Sequence, residues 1–386
     1  MSLFGLNESE LQERGAAWTA REIGQQPEVW TRVAASIAAD EAGLMDFLAG
    51  LLARADLHVV LTGAGTSAFI GQCLVPSMRA KSQRWVEAVS TTDLVASPGK
   101  WLLAGVPTLL VSFARSGGSP ESLAAVEIAE HVLGECHHLV ITCNDDGALA
   151  RRARTLPNAR VLVMDDATND RGFAMTSSFS SMLLAAARLF QLIPPGAAFT
   201  GAARAREMLD VTPALADELA RAGYERVVFL GSGELGALAR ESALKMLELT
   251  DGRIVAVAET PLGFRHGPKT IVNRKTIVVV YLSNDPYTRR YDLDLLQELR
   301  ADGIAARVLA LSGQSHPATV PVDELVLAGS AEASDLELCL PFVVFAQCFA
   351  VRQSLAMGLR PDTPNAAGIV SRVVRGVTIH PWEAGH

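Results

Sequence analysis

The chain has 386 residues, a formal net charge of −8, and a composition of 49% hydrophobic and 20% charged residues. These values predict a folded globular protein long enough for two domains, and the negative charge argues against a nucleic-acid partner, which would need a basic surface. Five scattered cysteines, the lack of metal-ligand spacing and the lack of a signal-peptide pattern predict a reduced, cytoplasmic protein without a bound metal or cofactor. The longest apolar run, 338–351, is interrupted by Gln347 and is too short to span a membrane.

The first predicted elements are helices in residues 1–55, where Thr19 and Glu22 have the spacing of a capping box and Pro27 starts another helical segment. From residue 58 onward, apolar strand segments alternate with helices. The predicted strands and the long apolar helix that follows them cover 59–61, 109–111, 139–142, 161–164 and 175–192. Strands that alternate with helices at this spacing predict a parallel, doubly wound sheet.

The second half of the chain repeats the first half with an offset of 168 residues (231 − 63). The matching pairs are 58–65 with 226–233, 109–112 with 277–280, 140–143 with 308–311, and the helical 172–189 with 340–357. Three strands and a helix in one register predict a tandem duplication, and hence two similar α/β lobes. The predicted division is an N-terminal helical segment, 1–55, a first lobe, 56–195, a second lobe, 196–360, and a tail that packs back over the lobes, 361–386.

A loop rich in hydroxyls and glycines, 112–122, follows the predicted strand at 109–111. Ser119 stands at an N-cap position and Pro120 at the first position of the next helix. Backbone N–H groups, hydroxyls and the positive end of a helix dipole would then converge on one point, as in phosphate sites. An ordinary strand-to-helix connection contains the same residue types. The duplication favours the phosphate site, because the matching residues 283–290 lack the glycine and serine cluster.

A predicted helix at the start of the second lobe carries Glu241, Lys245 and Glu248 on one face, and Leu244 and Leu247 lie on another. The common explanation for such a face is a solvated ion pair. The helix nevertheless begins at the carboxyl end of the first strand of its lobe, where open α/β sheets bind ligands. A glutamate held there beside a lysine is placed to move a proton.

The loop that follows, 259–269, contains His266 between Arg265 and Gly267. Histidine is the side chain whose ordinary pKa lies near neutrality, so His266 is a candidate for acid–base chemistry. The alternative is a structural histidine bonded to a backbone carbonyl.

Four segments together resemble the sugar isomerase (SIS) domain family: 63–67, 116–119, 243–248 and 265–268. The arrangement is similar to the isomerase half of glucosamine-6-phosphate synthase, which also has two tandem lobes. Segments 170–178 and 373–377 are similar to bacterial galactosamine-6-phosphate deaminase/isomerases, also described as tagatose-6-phosphate ketose/aldose isomerases. The resemblance implies two flavodoxin-like lobes, each a three-layer α/β/α sandwich.

The resemblance also implies roles for individual residues. Those that match the phosphate-binding positions are Gly65, Thr66, Ser67, Ser116, Gly117 and Ser119. Glu248 matches the base that carries a proton between C2 and C1 of the open-chain sugar. His266 matches the histidine that opens the ring and reaches in from the neighbouring subunit of a dimer, and Lys245 matches a lysine near the sugar hydroxyls.

Two positions depart from the pattern of the synthase. Arg115 replaces a glutamine, and we expect its guanidinium to bind the phosphate as a charged donor. Arg375 replaces the C-terminal lysine and is expected to contact substrate without forming a Schiff base, which an arginine cannot do. The glutamine-hydrolysing domain of the synthase has no counterpart here, which favours the direction that releases ammonia.

The resemblance thus predicts a cytoplasmic enzyme that converts galactosamine 6-phosphate to tagatose 6-phosphate and ammonium, with no cofactor, no metal, and no nucleic-acid or membrane partner. It predicts a homodimer, or a dimer of dimers, with a shared active site. Two alternatives of the same class are a tagatose-6-phosphate ketose/aldose isomerase and a glucosamine-6-phosphate deaminase. The alternative of another class is a sensor that binds a sugar phosphate without turnover.

Overall fold

The computed structural model describes residues 4–315, 323–374 and 376–382, apart from the side chains of residues 40–42. Arg375, a predicted substrate ligand, lies outside the described residues. The chain packs as two compact units. The first lobe comprises Val29–Asp170, Ser177–Pro195 and Ala367–His386, and the second lobe comprises Met1–Glu28, Arg171–Thr176 and Gly196–Ala366. The predicted division into four segments stays a prediction.

The α-helices of the described residues are numbered in chain order. They are α1 Glu8–Glu13, α2 Ala17–Gly24, α3 Gln26–Leu52, α4 Thr66–Ser82, α5 Thr91–Ala96, α6 Pro98–Trp101, α7 Pro120–Val132, α8 Ala148–Arg154, α9 Ser177–Leu189, α10 Ala197–Arg221, α11 Gly233–Leu249, α12 Pro261–Phe264, α13 Pro286–Asp302 and α14 Asp335–Ala356. Two 3-10 turns cover Asp166–Thr168 and Pro268–Ile271.

The strands form two parallel five-stranded sheets, one in each lobe. The strands are β1 His58–Gly63, β2 Val86–Ser90, β3 Thr108–Ala114, β4 Cys136–Thr142, β5 Ala159–Val163, β6 Arg226–Leu230, β7 Val255–Glu259, β8 Thr276–Leu282, β9 Arg307–Ser312 and β10 Asp323–Val326. The orders are β2-β1-β3-β4-β5 and β10-β9-β8-β6-β7, so both sheets have the flavodoxin-like arrangement. The predicted α/β fold with two doubly wound sheets is confirmed.

The core of each lobe surrounds the central strands. Strands β1, β3 and β8 are buried along their whole length, as expected for parallel sheets with both faces covered. The sequence pattern does not indicate β2, β7 or β10, which are edge strands of four or five residues. Their side chains are partly exposed, so these strands lack the continuous apolar run that marks the buried ones.

The duplication is visible in the strand registers. The predicted offset of 168 residues holds where β1 pairs with β3 and β6 pairs with β8. In the next pair of strands, Ser112 lies opposite Val140 in the first lobe, and Val280 lies opposite Ala310 in the second. The fourth strands therefore match at an offset of 170 (310 − 140), which corrects the predicted offset by two residues.

Helix α14 forms the centre of the second lobe. It is long and apolar enough to span a membrane by length and composition, but 94% of its most apolar 18-residue window is buried inside the fold. A capping box between Ser334 and Glu337 starts the helix. Helix α14 ends at Ala356, and α9 in the first lobe ends at Leu189. The offset of 168 residues predicts an end at position 357 (189 + 168), one residue beyond the observed end. Helix α14 is therefore the core helix of a duplicated lobe.

The predicted capping box at Thr19 and Glu22 is wrong. Helix α2 begins at Ala17, so both residues lie inside it. Their side chains contact residues distant in the sequence: the Thr19 hydroxyl donates to Asp362 Oδ1 at 2.7 Å, and Glu22 Oε2 accepts the backbone N–H of Gly172 at 3.1 Å. Tertiary contacts account for these two polar residues.

Asp292 on α13 is a fully buried carboxyl group in the second lobe. It accepts hydrogen bonds from the backbone N–H of Ser283 at 2.9 Å and from the hydroxyl of Ser232 at 2.8 Å. Burial raises the pKa of Asp292 to about 6, although the two hydrogen bonds offset part of the shift. The nearby charges act in opposite directions, since Asp335 raises this pKa and Arg289 lowers it.

This raised pKa predicts a pH-dependent difference in stability between the wild-type protein and Asp292→Asn. The folded chain binds a proton between about pH 4 and 6 that the unfolded chain, with a pKa near 3.9, does not bind. The stabilisation is fully present below about pH 4 and is lost as the pH rises through about 6. In urea unfolding, the wild-type protein should gain on the order of 2 kcal/mol over Asp292→Asn as the pH falls across this window.

Asp294→Asn is the matched control, because Asp294 is an exposed carboxyl group on the same helix. We expect its difference from the wild-type protein to stay constant within about 0.5 kcal/mol over the same pH range. A difference for Asp292→Asn that does not change with pH would contradict the raised pKa.

Candidate active site

The residues 115–119, which we call the serine–glycine loop, follow the carboxyl end of β3 in the first lobe. Ser119 is the N-cap of α7, as predicted, and its hydroxyl accepts the backbone N–H of Ser122 at 3.2 Å. Pro120 is the first helical residue. The positive end of a 13-residue helix therefore lies directly behind this loop.

A neighbouring turn holds the serine–glycine loop in place. Asn144 Nδ2 donates to the Ser116 carbonyl at 2.9 Å, and the backbone N–H of Leu149 donates to the Gly117 carbonyl at 2.9 Å. A Cβ atom on Gly147 would lie 2.7 Å from the Ser116 carbonyl oxygen, so this close approach requires glycine. Both carbonyl oxygens, which would repel an anion, are thus engaged by the turn.

The second group of predicted phosphate ligands lies at the carboxyl end of β1. Gly65 is the N-cap of α4 with a φ of +55°, and Thr66 and Ser67 are the first residues of that helix and are buried. Strands β1 and β3 are neighbours, and the sheet order reverses between them. The structure therefore brings two helix N-termini to the switch point, where doubly wound sheets bind their ligands.

Arg115 has a contact that the sequence does not reveal. The side chain is 7% exposed, and Nη2 donates to the carbonyl of Arg372 in the C-terminal tail at 2.7 Å. Arg372 in turn donates through Nε to the carbonyl of Asp170 at 2.9 Å. Arg115 thus connects the serine–glycine loop to the tail, and its predicted contact with phosphate stays a prediction.

In the second lobe, α11 buries its charged face. Glu241 and Lys245 are fully buried, and the Glu248 side chain is 25% exposed. Lys245 Nζ forms an ion pair with Glu248 and lies 3.5 Å from Glu241 Oε1. Leu247 on another face is exposed. A solvated ion pair, the alternative explanation of this face, is therefore wrong.

His266 is exposed in a short connection between α12 and the following 3-10 turn. Within the described part of the chain its imidazole makes no hydrogen bond, so the alternative of a structural histidine bonded to a carbonyl does not hold. Ion pairs on either side fix the connection: Arg265 Nε lies 2.7 Å from Glu298, and Lys269 Nζ lies 2.6 Å from Asp302. The imidazole is thus accessible on an anchored segment.

Carboxylates of the chain itself bind the loop of the second lobe that matches the serine–glycine loop. The backbone N–H of Ser283 donates to Asp292, and that of Asn284 donates to Asp335 at 2.7 Å. Asp285 caps α13 with its own side chain. The backbone N–H groups of Ser283 and Asn284 thus already donate to carboxylates and are not available to bind an anion. This agrees with the loss of the glycine and serine cluster in this lobe.

One group of three side chains in the described residues could hold a metal ion: Glu130, Cys136 and His138. Cys136 is the first residue of β4, so this group lies at the amino end of the strands, opposite the serine–glycine loop. It belongs to neither set of predicted site residues.

The comparison with protein families identifies both lobes. The SIS domain matches the chain twice, over residues 51–192 and 218–357, and each match contains one of the parallel sheets. The chain belongs to the SIS domain family. The predicted resemblance is confirmed, and the serine–glycine loop and α11 belong to the first and second SIS domains respectively.

Three proteins illustrate the similarity of these SIS domains to known ones. D-galactosamine-6-phosphate deaminase AgaS of Escherichia coli is 46% identical, over 95% of this chain and 96% of that protein. The structure of tagatose-6-phosphate ketose/aldose isomerase from Escherichia coli is 44% identical, with a TM-score of 0.89 over 95% of this chain and 97% of that chain. The C-terminal domain of glucosamine-fructose-6-phosphate aminotransferase from Francisella tularensis shares the fold, with 18% identity and a TM-score of 0.74 over 88% of this chain and 96% of that one.

The geometry of the serine–glycine loop predicts different effects for its two glycines. Gly117 has a φ of +60°, whereas Gly118 has no positive φ, and a Cβ atom there would lie 3.8 Å from its nearest neighbour. Gly117→Ala should therefore cost about 1–2 kcal/mol and distort the loop, whereas Gly118→Ala should be tolerated. Thermal unfolding and calorimetric titration with inorganic phosphate measure both effects.

We expect phosphate binding to weaken in Gly117→Ala and to remain at the wild-type level in Gly118→Ala, the matched control. Equal phosphate affinity in the wild-type protein and Gly117→Ala would show that the serine–glycine loop does not hold the anion.

Proposed function

We propose that the chain is an amino-sugar phosphate deaminase/isomerase that converts galactosamine 6-phosphate to tagatose 6-phosphate and ammonium. The observation that carries the proposal is the buried arrangement of Glu241, Lys245 and Glu248 on α11. Replacing buried ion pairs by apolar residues often leaves stability unchanged or improves it. Such a network is therefore better explained by chemistry than by stability. The three residues lie between the middle of α11 and its last turn, and Glu248 is one residue before the helix ends, so the glutamate is not at the helix start, where the sequence analysis expected it.

The first lobe supplies the phosphate site in this proposal. Hydroxyls and backbone N–H groups at the starts of α4 and α7 bind the 6-phosphate, and the two helix dipoles favour its negative charge. The bound phosphate positions the sugar, while the reacting carbons are at the other end of the molecule. Such positioning contributes to catalysis by holding the reacting groups in register.

Glu248 is the proposed base for the proton transfer. It takes the proton from C2 of the open-chain amino sugar, and the C2–H electron pair forms the C1–C2 double bond of an enolamine. The π bond of the C1 carbonyl breaks at the same time, its electron pair moves to the oxygen, and that oxygen takes a proton from water. Glu248 then returns the proton to C1, which leaves an imine at C2. Water adds to the imine carbon, and the C–N bond breaks to give the ketone and ammonia, which is protonated to ammonium.

Lys245 is the proposed donor to the oxygen on C1, where negative charge develops as the proton leaves C2. Its ammonium is held by Glu248 and Glu241, so it is oriented before the reaction starts. A preorganised donor of this kind contributes roughly 10²–10³-fold to the rate. Glu241 is the positioning residue for Lys245. The sequence indicates this contact, because the two residues are four positions apart and therefore share a face of the helix.

His266 is the proposed acid–base group for ring opening, because its imidazole is exposed on an anchored segment of the second lobe. The family resemblance supports this role, because it implies that the matching histidine reaches into the active site from a neighbouring subunit. We therefore propose a homodimer in which His266 acts on the substrate bound to the partner.

A tagatose-6-phosphate ketose/aldose isomerase is the second candidate, because the 44% identical structure from Escherichia coli carries that name. The same transfer between C2 and C1 would then act on a sugar without nitrogen. Release of ammonium distinguishes the two reactions. A sensor is less well supported, since it would need no buried base beside a lysine.

Glu248→Gln should lower ammonium release from galactosamine 6-phosphate by about 10²–10⁴-fold, because the amide cannot accept the C2 proton. KM should change little, since the phosphate contacts remain. A coupled assay for ammonium, with a parallel assay for tagatose 6-phosphate, gives both constants. Glu332→Gln is the control, because Glu332 is an exposed glutamate of the same lobe and has no proposed role.

Unchanged ammonium release in Glu248→Gln would overturn the assignment of the base. Turnover of tagatose 6-phosphate by the wild-type protein, with no ammonium from galactosamine or glucosamine 6-phosphate, would favour the isomerase. Faster release from glucosamine 6-phosphate would favour the gluco-configured substrate.

Mixing of two inactive variants tests whether the site is shared. Glu248→Gln and His266→Asn should each be inactive alone. If His266 acts on the partner, a mixed dimer contains one site with both native residues, and random mixing should restore about one quarter of the wild-type activity. No recovery after mixing and refolding would place both residues in the same chain's site.

A further inference from the structure

A cluster of metal-ligand side chains lies at the amino end of the strands in the first lobe. His138 Nε2 is 2.8 Å from Glu130 Oε1 and 3.3 Å from Cys136 Sγ, and the three ligand atoms all lie within 4.8 Å of one another. The two residues on β4 are separated by one position and therefore share a face of the strand. Glu130 comes from the last turns of α7.

Two potential anions thus approach the same ring nitrogen. A neutral imidazole nitrogen carries either one hydrogen or one lone pair, so hydrogen bonding satisfies only one of the two contacts well. The other nitrogen of His138, Nδ1, is buried and has no hydrogen-bond partner in the described part of the chain. The position of the ring is therefore governed by what Nε2 contacts.

We propose that Glu130, Cys136 and His138 bind a divalent transition-metal ion of the zinc class, with water as the fourth ligand. Thiolate, imidazole and carboxylate together form a ligand set typical of zinc and cobalt. A tetrahedral ion holds such atoms roughly 3.3–3.7 Å apart. The two contacts of Nε2, at 2.8 and 3.3 Å, would therefore lengthen by up to about half an ångström. The distance between Cys136 Sγ and Glu130, which is within 4.8 Å, would adjust to the same range. The Cys136 thiol loses its proton to solvent as the metal–sulfur bond forms.

The burial of the cluster suits a site with one open position. His138 is fully buried and Cys136 is 7% exposed, while the Glu130 side chain is 27% exposed. The open side lies at the glutamate and gives access to the ion and its water. Asn158 Nδ2 donates to Glu130 Oε1 at 2.9 Å, and such outer contacts orient metal ligands.

The proposed ion would connect two elements of the first lobe. Glu130 lies near the carboxyl end of α7, and the N-cap of the same helix is Ser119 of the serine–glycine loop. An ion that joins Glu130 to β4 therefore anchors the far end of the helix that starts at the loop. We expect it to stabilise the lobe without taking part in the reaction.

The test uses the full-length protein after treatment with a chelator, and Co²⁺ as the probe. We expect one Co²⁺ per chain and a thiolate-to-cobalt charge-transfer band in the near ultraviolet, which Zn²⁺ should abolish by displacement. Cys136→Ser should lose the band. Cys73→Ser, which replaces another buried cysteine of the same lobe, should keep it.

Glu130→Gln provides a second variant in case Cys136→Ser does not fold, because Glu130 is the most exposed ligand. Its Co²⁺ affinity should fall at least about tenfold, since even outer-shell changes have effects of that size. A wild-type protein without the band, a band that persists in Cys136→Ser, or unchanged affinity in Glu130→Gln would each overturn the proposal. The cluster would then be a hydrogen-bonded group without a metal. These outcomes do not depend on the proposed reaction, because the probe measures binding alone.

Discussion

The reversal of strand order between β1 and β3 is the constraint on which the candidate site depends. Parallel strands need crossover helices, so all their carboxyl ends lie at one edge of the sheet. Where the order reverses, the helices after two adjacent strands lie on opposite faces and leave a crevice between their N-termini. The hydroxyls of Thr66, Ser67 and Ser119 lie at these N-termini because of the topology, although they are far apart in the sequence.

The duplicated lobe uses the same crevice in a different way. The first lobe has glycines and hydroxyls there, and the neighbouring turn engages the carbonyls of Ser116 and Gly117. In the second lobe, Asp292 and Asp335 accept the backbone N–H groups of the matching loop. An anion outside the protein would have to displace carboxylates that are already hydrogen-bonded. The duplication therefore preserved the scaffold, while only one copy retains the features of an anion site.

The buried charges of α11 represent a cost that the fold alone does not explain. Lys245 is removed from water together with Glu241, and its ammonium lies beside two carboxylates. Desolvation of such groups offsets much of their mutual attraction, so the network contributes little net stability. In the proposed reaction, the network holds the base Glu248 and the donor Lys245 in fixed positions. Helix α14 differs from α11, because its buried residues are almost all apolar and their burial carries no such desolvation cost.

The sequence by itself determined the α/β class, the duplication and the loops at the carboxyl ends of β1 and β3, because apolar periodicity and glycine spacing are local signals. Only the tertiary structure decided which face of α11 is buried, that Thr19 contacts Asp362 rather than capping a helix, and that Arg115 holds the tail through Arg372. It also placed Glu130 beside Cys136 and His138, although no ligand spacing in the sequence indicated a metal. Each of these features depends on contacts between residues that are far apart in the chain. Helical spacing shows that charged residues share a face of a helix, but it does not show whether water or protein covers that face.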